Sequence, residues 1–120
     1  MDDRATIEEL KKLFIKFRDE RDWKKYHNPK DLAASVSIEA AELLENFQWK
    51  TDEEIEGMLK DEEKLKEVSE ELADVIAYCL SFSDVTKIDI SEALKKKIEE
   101  NQRKYPIEKV KGNYKKYTEL

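Results

Sequence analysis

Asp61 to Val85 reads DEEKLKEVSEELADVIAYCLSFSDV. Leu65, Val68, Leu72, Val75, Ile76, Cys79 and Phe82 recur in it at steps of three and four, the spacing that lays an apolar stripe along one face of a helix. The stretch predicts one long amphipathic helix. Glu71, Asp74 and Tyr78 form a strip beside that stripe, and Ala73 and Ala77 leave room for a second helix to come close. A long helix with a single stripe has to be covered, so the rest of the chain is read for helices that could cover it.

Upstream, Thr6 and Glu9 fit a capping box at the head of a helix expected to run to about Asp22, with Ile7, Leu10, Phe14 and Phe17 on its apolar face. Asn28-Pro29 then reads as a cap followed by proline at the first helical position. The helix it opens is expected to reach about Trp49, with Leu32, Val36, Leu43 and Phe47 on one face. Thr51 and Glu54 suggest a short helix carrying Ile55, Met58 and Leu59, although Gly57 inside it weakens the pattern. Downstream, Asp89 and Glu92 open a helix carrying Ile90, Leu94 and Ile98 that stops before Pro106. The remainder, residues 107–120, is basic and Tyr-rich and is expected to be extended or partly disordered. The expectation is one all-α domain over residues 1–120, an antiparallel bundle of four to five helices with short connections.

Composition narrows the function. The chain has 120 residues, two Gly and two Pro, 43% charged residues and a formal net charge of −6. That charge disfavours nucleic acid as a partner, because phosphate neutralisation needs a basic surface. The single cysteine rules out an intrachain disulfide, and Cys79 reads as a core thiol. No apolar run is long enough to span a bilayer and no signal peptide is apparent, so a cytoplasmic location is expected. Gly57 and Gly112 stand alone, so there is no phosphate-binding glycine loop.

Two acidic pairs carry the chemistry: Glu39-Ala40-Ala41-Glu42 and Glu71-Leu72-Ala73-Asp74. Spacing of three puts both acids of a pair on one side of a helix. Most such pairs are solvated faces, but Glu39 falls between Leu32, Val36 and Leu43, in the middle of an apolar stripe. A carboxylate buried there without a partner costs several kcal/mol, roughly, or takes up a proton; a cation removes the difficulty. Two facing helices would bring the four acids to one point. An all-oxygen set selects Mg²⁺, with Mn²⁺ as a substitute. One His and one Cys cannot make the usual zinc set, and the Glu-x-x-His pairs of di-iron bundles are absent. On the last helix, Lys97 and Asn101 align with Ile90 and Leu94, and Arg103 lies on another side. Lys97 and Asn101 suit phosphate oxygens or a carboxylate–metal cluster; the alternative is a Lys reaching out to solvent and an Asn capping the helix end.

The ordered combination of Glu20-Arg21-Asp22-Trp23, Tyr26-His27-Asn28-Pro29-Lys30-Asp31-Leu32, Glu39-x-x-Glu42, Phe47-Gln48-Trp49-Lys50, Glu70-Glu71-Leu72-Ala73-Asp74-Val75 and Asn101-x-Arg103-Lys104-Tyr105-Pro106 resembles the MazG-like, all-α nucleoside triphosphate pyrophosphohydrolases. Within that superfamily it looks most like the small dCTP pyrophosphatase branch. The resemblance covers nearly the whole chain. It implies hydrolysis of a nucleoside triphosphate to the monophosphate and pyrophosphate, with dCTP or related pyrimidine deoxynucleotides as substrates and nucleotide-pool house-cleaning as the role. It implies Mg²⁺ on Glu39, Glu42, Glu71 and Asp74, with Glu39 or Glu42 as proton acceptor. Lys97, Asn101 and Arg103 match family positions near phosphate and sugar. Trp23, His27 and Trp49 match aromatics that line the base pocket, although either Trp also suits a core or interface anchor. Tyr78, one turn beyond Asp74, is placed to meet the ligand. Family members assemble as homodimers or homotetramers. The alternative reading of the same residues is a non-catalytic helical module that senses a nucleotide or binds a partner protein.

Overall fold

Each of the five longer helices begins at a side chain able to satisfy the first backbone N–H groups, which have no partner inside the helix. In the computed structural model, which describes residues 1–120, Thr6 Oγ1 accepts from the Glu9 N–H at 3.1 Å and Glu9 Oε2 accepts from the Thr6 N–H at 3.2 Å. This reciprocal box opens α1, Ile7–Glu20. Asn28 Oδ1 accepts from the Asp31 N–H at 2.9 Å and opens α2, Pro29–Glu45. Thr51 opens α3, Asp52–Lys60. Asp61 Oδ1 accepts from Glu63 and Lys64 N–H and opens α4, Glu62–Thr86. Asp89 opens α5, Ile90–Lys104. A 3₁₀ turn at Lys24–Tyr26 precedes α2, and the tail holds a four-residue α6, Ile107–Val110, and a 3₁₀ turn at Tyr117–Glu119. The protein is all-α, as its periodicity requires.

Two ends differ from expectation. Helix α2 stops at Glu45 and does not reach Trp49. The Asn46 side chain donates to the carbonyls of Glu42 and Leu43, at 3.3 and 3.2 Å, and so competes with the continuing ladder. Trp49 then adopts φ 67°, a left-handed conformation that an aromatic residue seldom takes. Helix α1 likewise ends at Glu20, and Asp22 is left-handed at φ 55°. Gly57 does not interrupt α3, and a methyl group there would meet nothing within 4 Å. Gly57→Ala is therefore expected to stabilise the fold by about 0.8 kcal/mol, through helix propensity alone. An unchanged or lower denaturant midpoint would contradict this.

The chain divides into two compact units, Met1–Lys87 and Ile88–Leu120. In the first, α2 packs along α4, and α1 and α3 also pack on α4. Contacts at the two ends of α2 set its direction. His27 meets Ser81 and Asn46 meets Glu71, so α2 and α4 are antiparallel. The interior is unusually polar. Leu32 and Leu80 are the only buried apolar side chains, whereas Arg18, Ser81 and Ser83 are also buried. Arg18, 1% exposed, donates to Asp19 at 2.9 Å and to Asp84 at 3.0 Å. Cys79, read as a core thiol, is half-buried. Beyond this interior, Leu10, Leu13, Leu72 and Ile76 stay exposed. With Phe14 and Leu80 they line an apolar groove of about 570 Å³ between α1 and α4. In the second unit Tyr117 of the tail packs edge-on to Tyr105 at 6.2 Å, and the Lys104 ammonium lies 4.8 Å from the Tyr117 ring centre. The tail thus doubles back onto the end of α5. No helix is long and apolar enough to cross a membrane.

Candidate active site

The antiparallel α2–α4 pair carries both acidic pairs, one on each helix. Glu39 is half-buried on α2, and its Oε2 is shielded from solvent without any hydrogen-bond partner. Burial pushes the Glu39 carboxyl above its usual range; a hydrogen bond with the Glu42 carboxyl and the negative charges of Glu42, Asp74 and Glu71 push it further. The charges of the other three predicted carboxylates therefore all reach Glu39, from its own helix and from α4. Glu42 and Asp74 face solvent, while Glu71 is half-buried and accepts a hydrogen bond from Asn46 Nδ2. No three of these side chains converge on a common coordination point in this arrangement. Like charges repel, and Asn46 holds Glu71 to the end of α2. The orphaned Glu39 oxygen and the purely oxygen donor set nonetheless fit a hard divalent cation, which would supply the partner that burial has removed.

Tyr78 lies one turn beyond Asp74. Burial, then the charges of Glu39, Asp74 and Glu42, raise its pKa, so the phenol stays protonated and can donate. Next to it is His27, whose ring lies 6.3 Å from Tyr78 and 6.2 Å from Phe14, nearly parallel to the latter. His27 Nδ1 is 2.9 Å from Ser81 Oγ. Trp23 meets Phe17 edge-on at 5.6 Å, and Arg21 covers that same Phe17 ring at 4.0 Å. Trp49 is 92% exposed. Trp23 precedes and Trp49 follows the 17-residue α2, which is about 25 Å long. Lys97, Asn101 and Arg103 lie exposed on α5 in the second unit, where Lys97 Nζ is 3.7 Å from Glu100.

Sequence reasoning passed over three residues here: Arg18, Asn46 and Ser81. Arg18 lies four residues after Phe14, on the extension of the α1 stripe. Ser81 lies seven after Asp74 and three after Tyr78, on the strip that carries the chemistry. A polar residue in register with a buried face was the available signal in both cases.

With the geometry in view, similarity to known proteins can be placed on it. Residues 34–120 match the model of the MazG-like family, a span that holds all four carboxylates. The chain belongs to the MazG-like family. This MazG-like chain is 34% identical over 115 residues to dCTP pyrophosphatase 1 of Bos taurus and 35% identical to that of Homo sapiens, matches that cover 96% of this chain and 68% of each relative. Those alignments are long enough to reach residues upstream of 34, on α1 and the start of α2. A crystal structure of a pyrophosphatase from Archaeoglobus fulgidus superposes with a TM-score of 0.77 at 49% identity, over 86% of this chain and 94% of that one. The MazG-like chain is a hydrolase of the pyrophosphatase class.

Proposed function

We propose that this protein is a Mg²⁺-dependent nucleoside triphosphate pyrophosphohydrolase that acts on dCTP or related pyrimidine deoxynucleotides and clears them from the nucleotide pool. The observation that carries the reading is the Glu39 oxygen, buried without a partner beside three further carboxylates. Glu39, Glu42, Glu71 and Asp74 would hold the metal, which when bound neutralises the triphosphate and acidifies water. Glu39 or Glu42 takes the proton of the attacking water. The water oxygen bonds to the α-phosphorus, the bond from that phosphorus to the bridging oxygen breaks, and pyrophosphate leaves. Tyr78, held protonated, donates toward the phosphate. The preference for dCTP rests on the mammalian relatives, whose name states it.

The working unit in this reading is a homodimer or homotetramer. The apolar groove between α1 and α4 fits a second copy, and the exposed Trp49 would complete the base pocket of another chain. Light scattering on the purified protein should show an even-numbered oligomer, and Leu13→Glu with Ile76→Glu should shift it toward monomer. A wild-type monomer would refute the assembly.

Pyrophosphate release from a panel of NTPs and dNTPs, with Mg²⁺ and with EDTA, tests the chemistry. Metal-dependent release matched one-to-one by monophosphate is expected, fastest with a pyrimidine deoxynucleotide. No turnover of any nucleotide would remove the proposal.

A further inference from the structure

Ser81 behaves unlike the other hydroxyl residues along α4. Ser69, Ser83 and Thr86 each donate to a backbone carbonyl three or four residues earlier, at 2.8, 2.8 and 2.7 Å. Ser81 makes no such bond. Its hydroxyl is fully buried, and its one partner is Nδ1 of His27 at 2.9 Å. A neutral imidazole can satisfy this contact in two ways. If Nδ1 carries the proton, it donates to Ser81, and the serine's own proton is then left buried with no acceptor. If Nδ1 is bare, the serine donates to it and every buried polar atom in the pair is satisfied. An unmade buried hydrogen bond is costly, so the second arrangement is preferred.

The other ring nitrogen follows from this choice. Nε2 makes no hydrogen bond within the chain, and it is not among the buried polar atoms that lack partners, so it is open to an incoming group. With Nδ1 bare, Nε2 carries the proton. Phe14 and Tyr78 both neighbour the ring, with centres 6.2 and 6.3 Å away. Burial and the Arg18 charge hold the imidazole pKa below its ordinary value, which opposes the doubly protonated form.

We propose that Ser81 is a positioning residue that locks His27 as the neutral Nε2–H tautomer, so that the ring offers one hydrogen-bond donor to an acceptor atom on the nucleobase. The part of this that concerns the base rests on the function proposed above; the tautomer itself does not. A fixed donor would discriminate between bases, because a base that presents its own donor at that point would leave two N–H groups facing each other.

His27 is the only histidine, so its ring can be read without assignment ambiguity. Long-range nitrogen–proton correlation spectra of the intact protein, at a pH where the imidazole is neutral, should show Nε2 in the protonated range and Nδ1 in the unprotonated range. The reverse pattern, or averaged shifts for both nitrogens, would overturn the proposal. In Ser81→Ala the two shifts should move toward each other as the lock is lost. Shifts that stay at the wild-type values would show that Ser81 does not set the tautomer. For the best nucleotide of the panel, Ser81→Ala should raise KM about threefold to tenfold with kcat unchanged. His27→Gln, which keeps an amide donor near the Nε2 position, should hold KM closer to wild type than His27→Leu does. Equal KM values in those two variants would refute the donor role. The expected spectra together with no turnover of any nucleotide would instead remove the proposed reaction and leave the tautomer standing.

Discussion

Glu39→Gln is expected to reduce pyrophosphate release by at least about a hundredfold while making the metal-free protein more heat-stable than wild type. Losing a metal ligand costs at least as much as losing a group that supports one, for which losses run from about tenfold to about a hundredfold. The gain in stability comes from the same atom. Without a cation, Glu39 holds a shielded, unpartnered oxygen among the negative charges of Glu42, Asp74 and Glu71. The amide removes that charge and keeps the shape. Saturating Mg²⁺ should reverse the order of the two melting temperatures. Ligand present at a hundred times its Kd stabilises the folded state by about 2.7 kcal/mol, and the variant forfeits most of this. Thermal melts of both proteins in EDTA and in Mg²⁺ would check it. A variant less stable than wild type in EDTA would mean that Glu39 serves the fold and not a cation.

Arg18→Ala is expected to be the most damaging single change to stability, at about 3 kcal/mol. The guanidinium is 1% exposed and joins α1 to the end of α4 through Asp84. Burial alone would lower its pKa, but the bonds to Asp19 and Asp84 more than offset this, so the charge persists. Truncation strands the Asp84 carboxylate in a largely buried place, 18% exposed, and opens a cavity beside it. Arg18→Met combined with Asp84→Leu removes both charges and refills the volume, and should recover most of the loss. Chemical denaturation of the single and double variants measures the difference. A double variant no more stable than Arg18→Ala would show that the pair's value lies in its charges.

The helix starts were legible because each rests on one local side chain: Thr6, Asn28, Thr51 and Asp89 all accept the bonds their positions suggested, and Asp61, where the long periodic stretch begins, proves to be a cap as well. The end of α2 was not, because it depends on the Asn46 amide choosing backbone carbonyls over solvent, and the apolar pattern runs on past it to Phe47. In the site, Glu39 could be singled out since a carboxylate on an apolar stripe demands an explanation. Arg18 and Ser81 carried the same signal more faintly, one as a long side chain that commonly reaches solvent, the other as a small hydroxyl that commonly bonds its own helix. The exposure of Trp49 was beyond a periodicity argument, which describes how one chain covers itself and says nothing about a surface left open.

Asp61 closes α3, its backbone N–H donating to the Met58 carbonyl, and in the same position caps α4. A junction of one residue has no slack: both of its polar roles are tied to neighbouring helices, and its backbone angles are fixed by them. The angle between α3 and α4 is therefore set at this one residue. The other junction beside α3, Asn46 to Lys50, is longer, and it contains Trp49. An inserted residue after Asp61 would twist α3 out of phase with the Glu71–Asp74 strip, whereas one inserted between Phe47 and Lys50 would mainly re-aim an indole.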